Sequence, residues 1–124
     1  MLTLAKEASQ LAYVPYSKFP VGAALKTSDG TVFTGCNIEN VSFGLTNCAE
    51  RTAIFKAVSQ GHTKLDEIVV YGETEEPISP CGACRQVMVE FFEPDSKVTL
   101  MAKNGKTVEM MVRELLPYSF IDFT

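Results

Sequence analysis

Three cysteines and one glutamate, held in two short segments, constrain this chain more than any other feature. Cys48-Ala49-Glu50 is the first segment and Pro80-Cys81-Gly82-Ala83-Cys84 the second. Three thiolates fill three positions of a tetrahedral Zn²⁺ and leave the fourth open to water, which marks a catalytic zinc rather than a structural one. Glu50 stands two residues from a ligand, where it can move that water's protons. A fold that serves this chemistry has to carry Cys48 to Cys81 and Cys84 and turn Glu50 into the same cleft.

Length and charge narrow the setting. A chain of 124 residues is one domain, 1–124. At that size it buries roughly two thirds of its unfolded surface, enough for a single core. The net charge is −4, and the 11 basic residues are scattered. A phosphate backbone is gripped by clustered Lys and Arg, so no nucleic-acid partner is expected and a small uncharged substrate fits better. No apolar run reaches the length of a membrane span, and the N-terminus lacks a basic region followed by an apolar core. The expected setting is cytoplasmic. Thiols stay reduced there, and Cys-x-x-Cys reads as metal or redox chemistry before disulfide.

Periodicity supplies the elements. Leu4, Ala8, Leu11 and Ala12 recur at helical spacing, which predicts a first helix over residues 2–13, ended by Pro15. Residues 21–26 and 31–36 flank Ser28-Asp29-Gly30 and predict a hairpin. A second helix is expected over 48–60, stopped by Gly61, then a strand over 67–71. A third helix should start at Cys81 and end before Pro94. Residues 97–102 read as a strand, Asn104-Gly105 as a turn, and 108–115 as a short helix stopped by Pro117. Strands alternating with helices give an α/β sandwich around a mixed sheet.

Both cysteine segments fall at helix starts. Ser79-Pro80 is a start signal, with Ser as cap and Pro in the first turn; Asn47 can cap the second helix in the same way. Cys81 and Cys84, three apart, then share a face. Two helix N-termini point at one metal and lower thiol pKa values there. One tension remains, because residues two apart on a regular helix, such as Cys48 and Glu50, do not share a face. Three thiolates also leave the zinc site at −1, a charge that an arginine donating to sulfur would offset; Arg51 and Arg85 both adjoin the motifs. Blander readings stand beside this one. Cys-x-x-Cys alone suits a redox pair, and Cys36 would complete a closed structural site, although it lies in a strand pattern. Glu50 alone could be a capping-box partner of Asn47. His62, the single histidine, follows a helix end and reads as a solvated loop residue.

Four blocks in a fixed order resemble the small zinc-dependent cytidine deaminases. They are Tyr13-Val14-Pro15-Tyr16-Ser17-Lys18-Phe19-Pro20-Val21-Gly22-Ala23-Ala24, Gly35-Cys36-Asn37-Ile38-Glu39-Asn40, Cys48-Ala49-Glu50-Arg51-Thr52-Ala53 and Ser79-Pro80-Cys81-Gly82-Ala83-Cys84-Arg85-Gln86. Leu116-Pro117-Tyr118-Ser119-Phe120 is similar to the family's C-terminal tail. The resemblance implies a three-layer α/β/α sandwich around a mixed five-stranded sheet. It also implies one Zn²⁺ per chain on Cys48, Cys81 and Cys84, with Arg51 rather than Arg85 beside the sulfurs. Phe19 would stack on the pyrimidine, Asn37 and Glu39 would bond the ribose hydroxyls, and Ala49, Phe43 and Phe120 would lie at the substrate. Phe43 stands where family members often carry tyrosine. A homotetramer with shared active sites is implied too, Phe120 reaching a neighbouring subunit; Tyr118 and Phe123 are further candidate interface aromatics.

The implied reaction is hydrolytic deamination of cytidine and 2′-deoxycytidine to uridine and 2′-deoxyuridine, a step of pyrimidine salvage. Glu50 would shuttle protons from a zinc-activated water to ring N3 and then to the leaving amine, which the carbonyl of Ser79 or of Cys81 would hold. The competing expectations are a deaminase for another aminopyrimidine nucleoside such as blasticidin S, a nucleic-acid editing deaminase, and a non-enzymatic zinc-stapled module.

Overall fold

The computed structural model describes residues 1–122. One mixed sheet carries the strands β1 (Val21–Thr27), β2 (Val32–Cys36), β3 (Leu65–Gly72), β4 (Phe92–Met101) and β5 (Thr107–Met111), in the order β2-β1-β3-β4-β5. The helices are α1 (Leu2–Ser9), α2 (Ala49–Ser59), α3 (Gly82–Phe91) and the short α4 (Val112–Leu115). The β3–β4 pair is parallel; β1–β2, β1–β3 and β4–β5 are antiparallel.

This order brings two helix starts to one place. β2 and β3 both run antiparallel to β1, so they run in the same direction and α2 is the crossover between them. β3 and β4 are parallel neighbours joined through α3. Crossovers between co-directional strands share one hand, so both helices lie on one face and begin at the same end of the sheet. That face holds the larger core, where Ala53, Ile54 and Ala57 of α2 and Met88 of α3 meet Ala23, Leu25, Ile68, Val70, Val98 and Leu100. On the opposite face Ala5 of α1 meets Ala24, Val69, Tyr71 and Met101. Alternate strand residues thus face different helical layers, which makes the expected three-layer sandwich.

Two glycines allow helices to lie directly on the sheet. A Cβ on Gly22 would stand 1.9 Å from the Ala5 carbonyl oxygen, under α1. A Cβ on Gly35 would stand 2.5 Å from the Ala53 nitrogen and 2.8 Å from the Ala49 oxygen, under α2.

Several boundaries differ from the expectations. α1 ends at Ser9 rather than near residue 13, because Tyr13 is drawn into extended pairing. Its N–H donates to the Asn37 carbonyl at 3.0 Å, and the Glu39 N–H donates to the Tyr13 carbonyl at 2.9 Å. α3 ends at Phe91, and β4 begins at Phe92 and runs through Pro94. The proline is tolerated because the β3–β4 register shifts there, from Leu65↔Phe92 to Glu67↔Lys97. The helix expected over 108–115 is helical only at Val112–Leu115; its first part is β5, paired from Met101↔Thr107 to Lys97↔Met111. Phe123 lies outside the described residues.

Candidate metal centre

The cysteines sit just outside their helices. Cys48 is the N-cap of α2, with φ −75° and ψ 156°, and Cys81 is the N-cap of α3, with φ −68° and ψ 165°. Neither Asn47 nor Ser79 caps a helix. The Asn47 amide donates to the Thr52 hydroxyl at 3.0 Å, and the Ser79 hydroxyl is engaged by Arg85. Cys81 does the capping itself, its sulfur accepting the Cys84 N–H at 3.4 Å. The extended conformation of Cys48 removes the expected tension with Glu50. Cys48 is not a helical residue, so its side chain and that of Glu50 leave the backbone under different geometry.

The three sulfurs form one cluster. Cys48 Sγ lies 3.7 Å from Cys81 Sγ, Cys81 Sγ lies 3.4 Å from Cys84 Sγ, and all three lie within 4.8 Å of one another. Sulfurs ~2.3 Å from a tetrahedral zinc stand ~3.8 Å apart, so the donor set and its spacing fit that ion. Cys84 is buried, Cys48 half-buried and Cys81 exposed, so the cluster opens to solvent on the Cys81 side. Cys36 is not in the cluster. It ends β2 opposite Gly22, and burial pushes its thiol pKa up. Among the described residues, the closed four-cysteine site is therefore not built.

Charge around the sulfurs is uneven. The Cys48 thiol is held down at about 5, first by the hydrogen bond from Cys84 and then, against burial, by Arg51 and Cys81. Cys84 is pushed far up by its bond to Cys48 and by burial. A divalent cation has to displace thiol protons as it enters, because the thiolate is the metal ligand. Arg51 Nη2 donates to Cys48 Sγ at 3.4 Å. Arg85 does not reach sulfur. Its Nε donates to the Pro80 carbonyl at 2.9 Å and its Nη1 to the Leu115 carbonyl at 2.7 Å, tying the second cysteine segment to the end of α4. Arg51→Ala is expected to weaken zinc binding by ~10–100-fold, read by competition with a chelator. An unchanged zinc affinity would remove Arg51 from the metal site.

Glu50 is 5 % exposed, and burial raises its carboxyl pKa to about 7. Ala49 between them is fully buried in the larger core.

A backbone bridge joins the metal cluster to the candidate ribose pair. Ile38 and Asn47 exchange two N–H···O bonds of 2.9 Å, which sets residues 37–39 beside the residue preceding Cys48. Asn37 and Glu39 face the segment that carries Phe19. Asn37 Nδ2 donates to the Phe19 carbonyl at 2.8 Å, and its Oδ1 accepts the Val21 N–H at 2.9 Å. Glu39 accepts the Tyr16 and Ser17 N–H groups at 3.1 Å each, and the Ser17 hydroxyl as well. The Phe19 ring is half-buried against the larger core. Phe43 (87 % exposed, on a 3₁₀ turn at Phe43–Leu45) and Phe120 (66 % exposed) stand on the surface. Gln86 Nε2 holds the Phe120 carbonyl at 2.9 Å. His62 lies in a loop and outside the metal cluster, as expected, but is half-buried rather than fully solvated; its ring stacks obliquely on Phe33 at 5.3 Å, and Nδ1 lies 3.6 Å from an Asp29 oxygen. Sequence reasoning missed Thr52, whose hydroxyl donates to the Cys48 carbonyl at 3.1 Å, and gave Ser17 no role.

Comparison with known proteins agrees with this geometry. Residues 1–101 match the family model for the cytidine and deoxycytidylate deaminase zinc-binding region. The chain is 56% identical over 120 residues to a cytidine deaminase of Halalkalibacterium halodurans, covering 94% of this chain and 91% of that one. It is 52% identical over 120 residues to a cytidine deaminase of Sporosarcina psychrophila, covering 97% and 88%. The crystal structure of a cytidine deaminase from Burkholderia pseudomallei superposes with a TM-score of 0.93 at 51% identity, over 96% of this chain and 95% of that one.

Proposed function

The chain belongs to the cytidine deaminase family, and from that premise we propose that it deaminates cytidine, and 2′-deoxycytidine with it, by adding water and releasing ammonia. One observation carries the reading: three sulfurs within 4.8 Å of one another, with a carboxyl two residues from one of them, buried at the start of the same helix. Cys48, Cys81 and Cys84 are the residues that hold a single zinc ion. When bound there, zinc lowers the pKa of a water toward ~7 and so supplies a nucleophile at neutral pH.

The rest of the chemistry falls to the protein's own groups. Glu50 moves a proton from the attacking water to pyrimidine N3, which makes C4 electrophilic. The water oxygen bonds to C4, and Glu50 then takes the proton of the new C4 hydroxyl and passes it to the 4-amino nitrogen, so that the C4–N bond breaks, the C4 carbonyl forms and ammonia leaves. The 4-amino group needs an acceptor. The Cys81 carbonyl already accepts the Arg85 N–H at 3.0 Å and the Pro80 carbonyl accepts Arg85 Nε, whereas no donor among the described residues reaches the Ser79 carbonyl. That favours Ser79 over Cys81. Phe19 stacks on the base, the Ala49 backbone contacts it, and Asn37 and Glu39 take the ribose hydroxyls.

The exposed aromatics Phe43, Tyr118 and Phe120 support a homotetramer whose subunits share sites. No described helix is long and apolar enough to cross a membrane. Reduced thiols, which the zinc site needs, accord with a cytoplasmic enzyme of nucleoside salvage. The test is absorbance of cytidine during incubation with zinc-loaded protein, run beside cytosine, blasticidin S and single-stranded DNA. Conversion of cytidine to uridine, with the others inert, is expected; turnover of blasticidin S alone would move the assignment to another aminopyrimidine nucleoside.

A further inference from the structure

The candidate base-stacking ring and the candidate sugar carboxylate meet at one exposed side chain. The turn before Phe19 is closed by the Lys18 N–H, which donates to the Val14 carbonyl at 3.0 Å. Lys18 itself adopts φ +59°, a left-handed conformation that is costly for a residue with a β-carbon. Surrounding bonds have to hold such a turn, and Glu39 supplies them through the Tyr16 N–H, the Ser17 N–H and the Ser17 hydroxyl. The Ser17 oxygen in turn accepts the Phe19 N–H at 3.1 Å. One hydroxyl therefore donates to the Glu39 carboxylate and accepts from the Phe19 backbone. At the other end of the Phe19 backbone, Asn37 holds the carbonyl.

We propose that Ser17 is a positioning residue that fixes the Phe19 ring and the Glu39 carboxylate relative to one another, and so sets the affinity for the nucleoside without touching a reacting atom. This rests on the reading of Phe19 and Glu39 as substrate contacts given above. A carboxylate offers about four lone-pair directions. Three are taken by the Tyr16 and Ser17 donors, which leaves one direction open for a sugar hydroxyl. Without the Ser17 hydroxyl, Glu39 gains rotational freedom and the Phe19 N–H loses its acceptor. Both contacts then pay an ordering cost when substrate binds. Ser17 is exposed, so truncating it opens no core cavity, and an effect on binding is separable from an effect on folding.

The test measures KM and kcat for cytidine, thermal midpoint and zinc content in Ser17→Ala, Ser17→Thr, Glu39→Gln, Phe19→Ala and the Ser17→Ala/Glu39→Gln pair. Ser17→Ala is expected to raise KM about tenfold, the loss of one hydrogen bond to a charged group, with kcat within about twofold and midpoint and zinc unchanged. Ser17→Thr, which keeps the hydroxyl, should restore KM. The double variant should bind little worse than Glu39→Gln alone, because the two residues act as one unit. Three results would overturn the proposal: an unchanged KM in Ser17→Ala while Glu39→Gln and Phe19→Ala raise it, fully additive losses in the pair, or a matching fall of midpoint and kcat. If Glu39→Gln and Phe19→Ala also leave KM unchanged, the substrate assignment itself fails, and the role of Ser17 with it.

Discussion

Glu50→Gln is expected to retain one zinc per chain and to lose more than ~10⁴-fold in kcat. A single proton transfer by a placed side chain contributes ~10²–10⁴-fold, and Glu50 serves as base and then as acid in one cycle. Glutamine keeps the shape and some hydrogen bonding but cannot carry a proton. The check is steady-state turnover together with metal analysis of the same preparation; substantial residual activity at full zinc content would refute the shuttle. The substitution has a second signature in chelator-treated protein. Burial raises the Glu50 pKa from an ordinary 4.5 to about 7, so the folded state resists ionising it. The sign follows from the raised value. The associated stability is present below about pH 4.5 and is lost as pH climbs through about 7. Near pH 8, Glu50→Gln should therefore be the more stable zinc-free protein by about 3 kcal/mol, with no advantage near pH 4. Thermal melts across that range check it.

Cys84→Ser is expected to weaken zinc binding by several orders of magnitude, whereas Cys36→Ser should leave it intact. Cys84 is fully buried, its sulfur meets that of Cys81 at 3.4 Å, and among the described residues no further cysteine or histidine joins the cluster to replace it. Cys36 is a cysteine of the same chain under the same redox conditions, but outside the cluster, so it controls for general thiol loss. Zinc per chain after dialysis against a graded chelator series reads both. In the unsubstituted protein, affinity should fall as pH is lowered, because thiol protons have to leave before sulfur can bind the cation. Retention of zinc by Cys84→Ser, or its loss from Cys36→Ser, would require a different ligand set.

The sequence made the chemistry legible before the architecture around it. Thiol spacing identified the cluster, the Asp29-Gly30 turn identified the β1–β2 hairpin, and α2 and α3 were legible from the signals that bound them, Gly61 after the one and Ser79-Pro80 and Pro94 around the other. The cap residues were not. Serine and asparagine are statistically favoured as caps, but a cap is the residue whose backbone leaves the helix, and here the metal segments place cysteine there. β5 was hidden because Val108, Met111, Val112 and Leu115 fall at helical spacing; pairing with β4 overrides that local pattern. The bonds that Asn37 and Glu39 make to the Phe19 segment span 16 to 23 residues, and no local signal encodes contacts at such separation.

The contact of α2 with Gly35 has a consequence for how the centre can vary. The helix that begins beside Cys48 and carries Glu50 lies backbone to backbone on the strand beneath it, with the Ala49 oxygen and the Ala53 nitrogen where a β-carbon would be. No rotamer intervenes between sheet and helix, so the mounting has no adjustable part. A methyl group at position 35 would push the helix off its seat and carry a sulfur donor and the proton carrier with it as one rigid piece. Random change can retune the rim of this pocket residue by residue, but the sulfur donor and the proton carrier on this helix can move only in a single step, and only together.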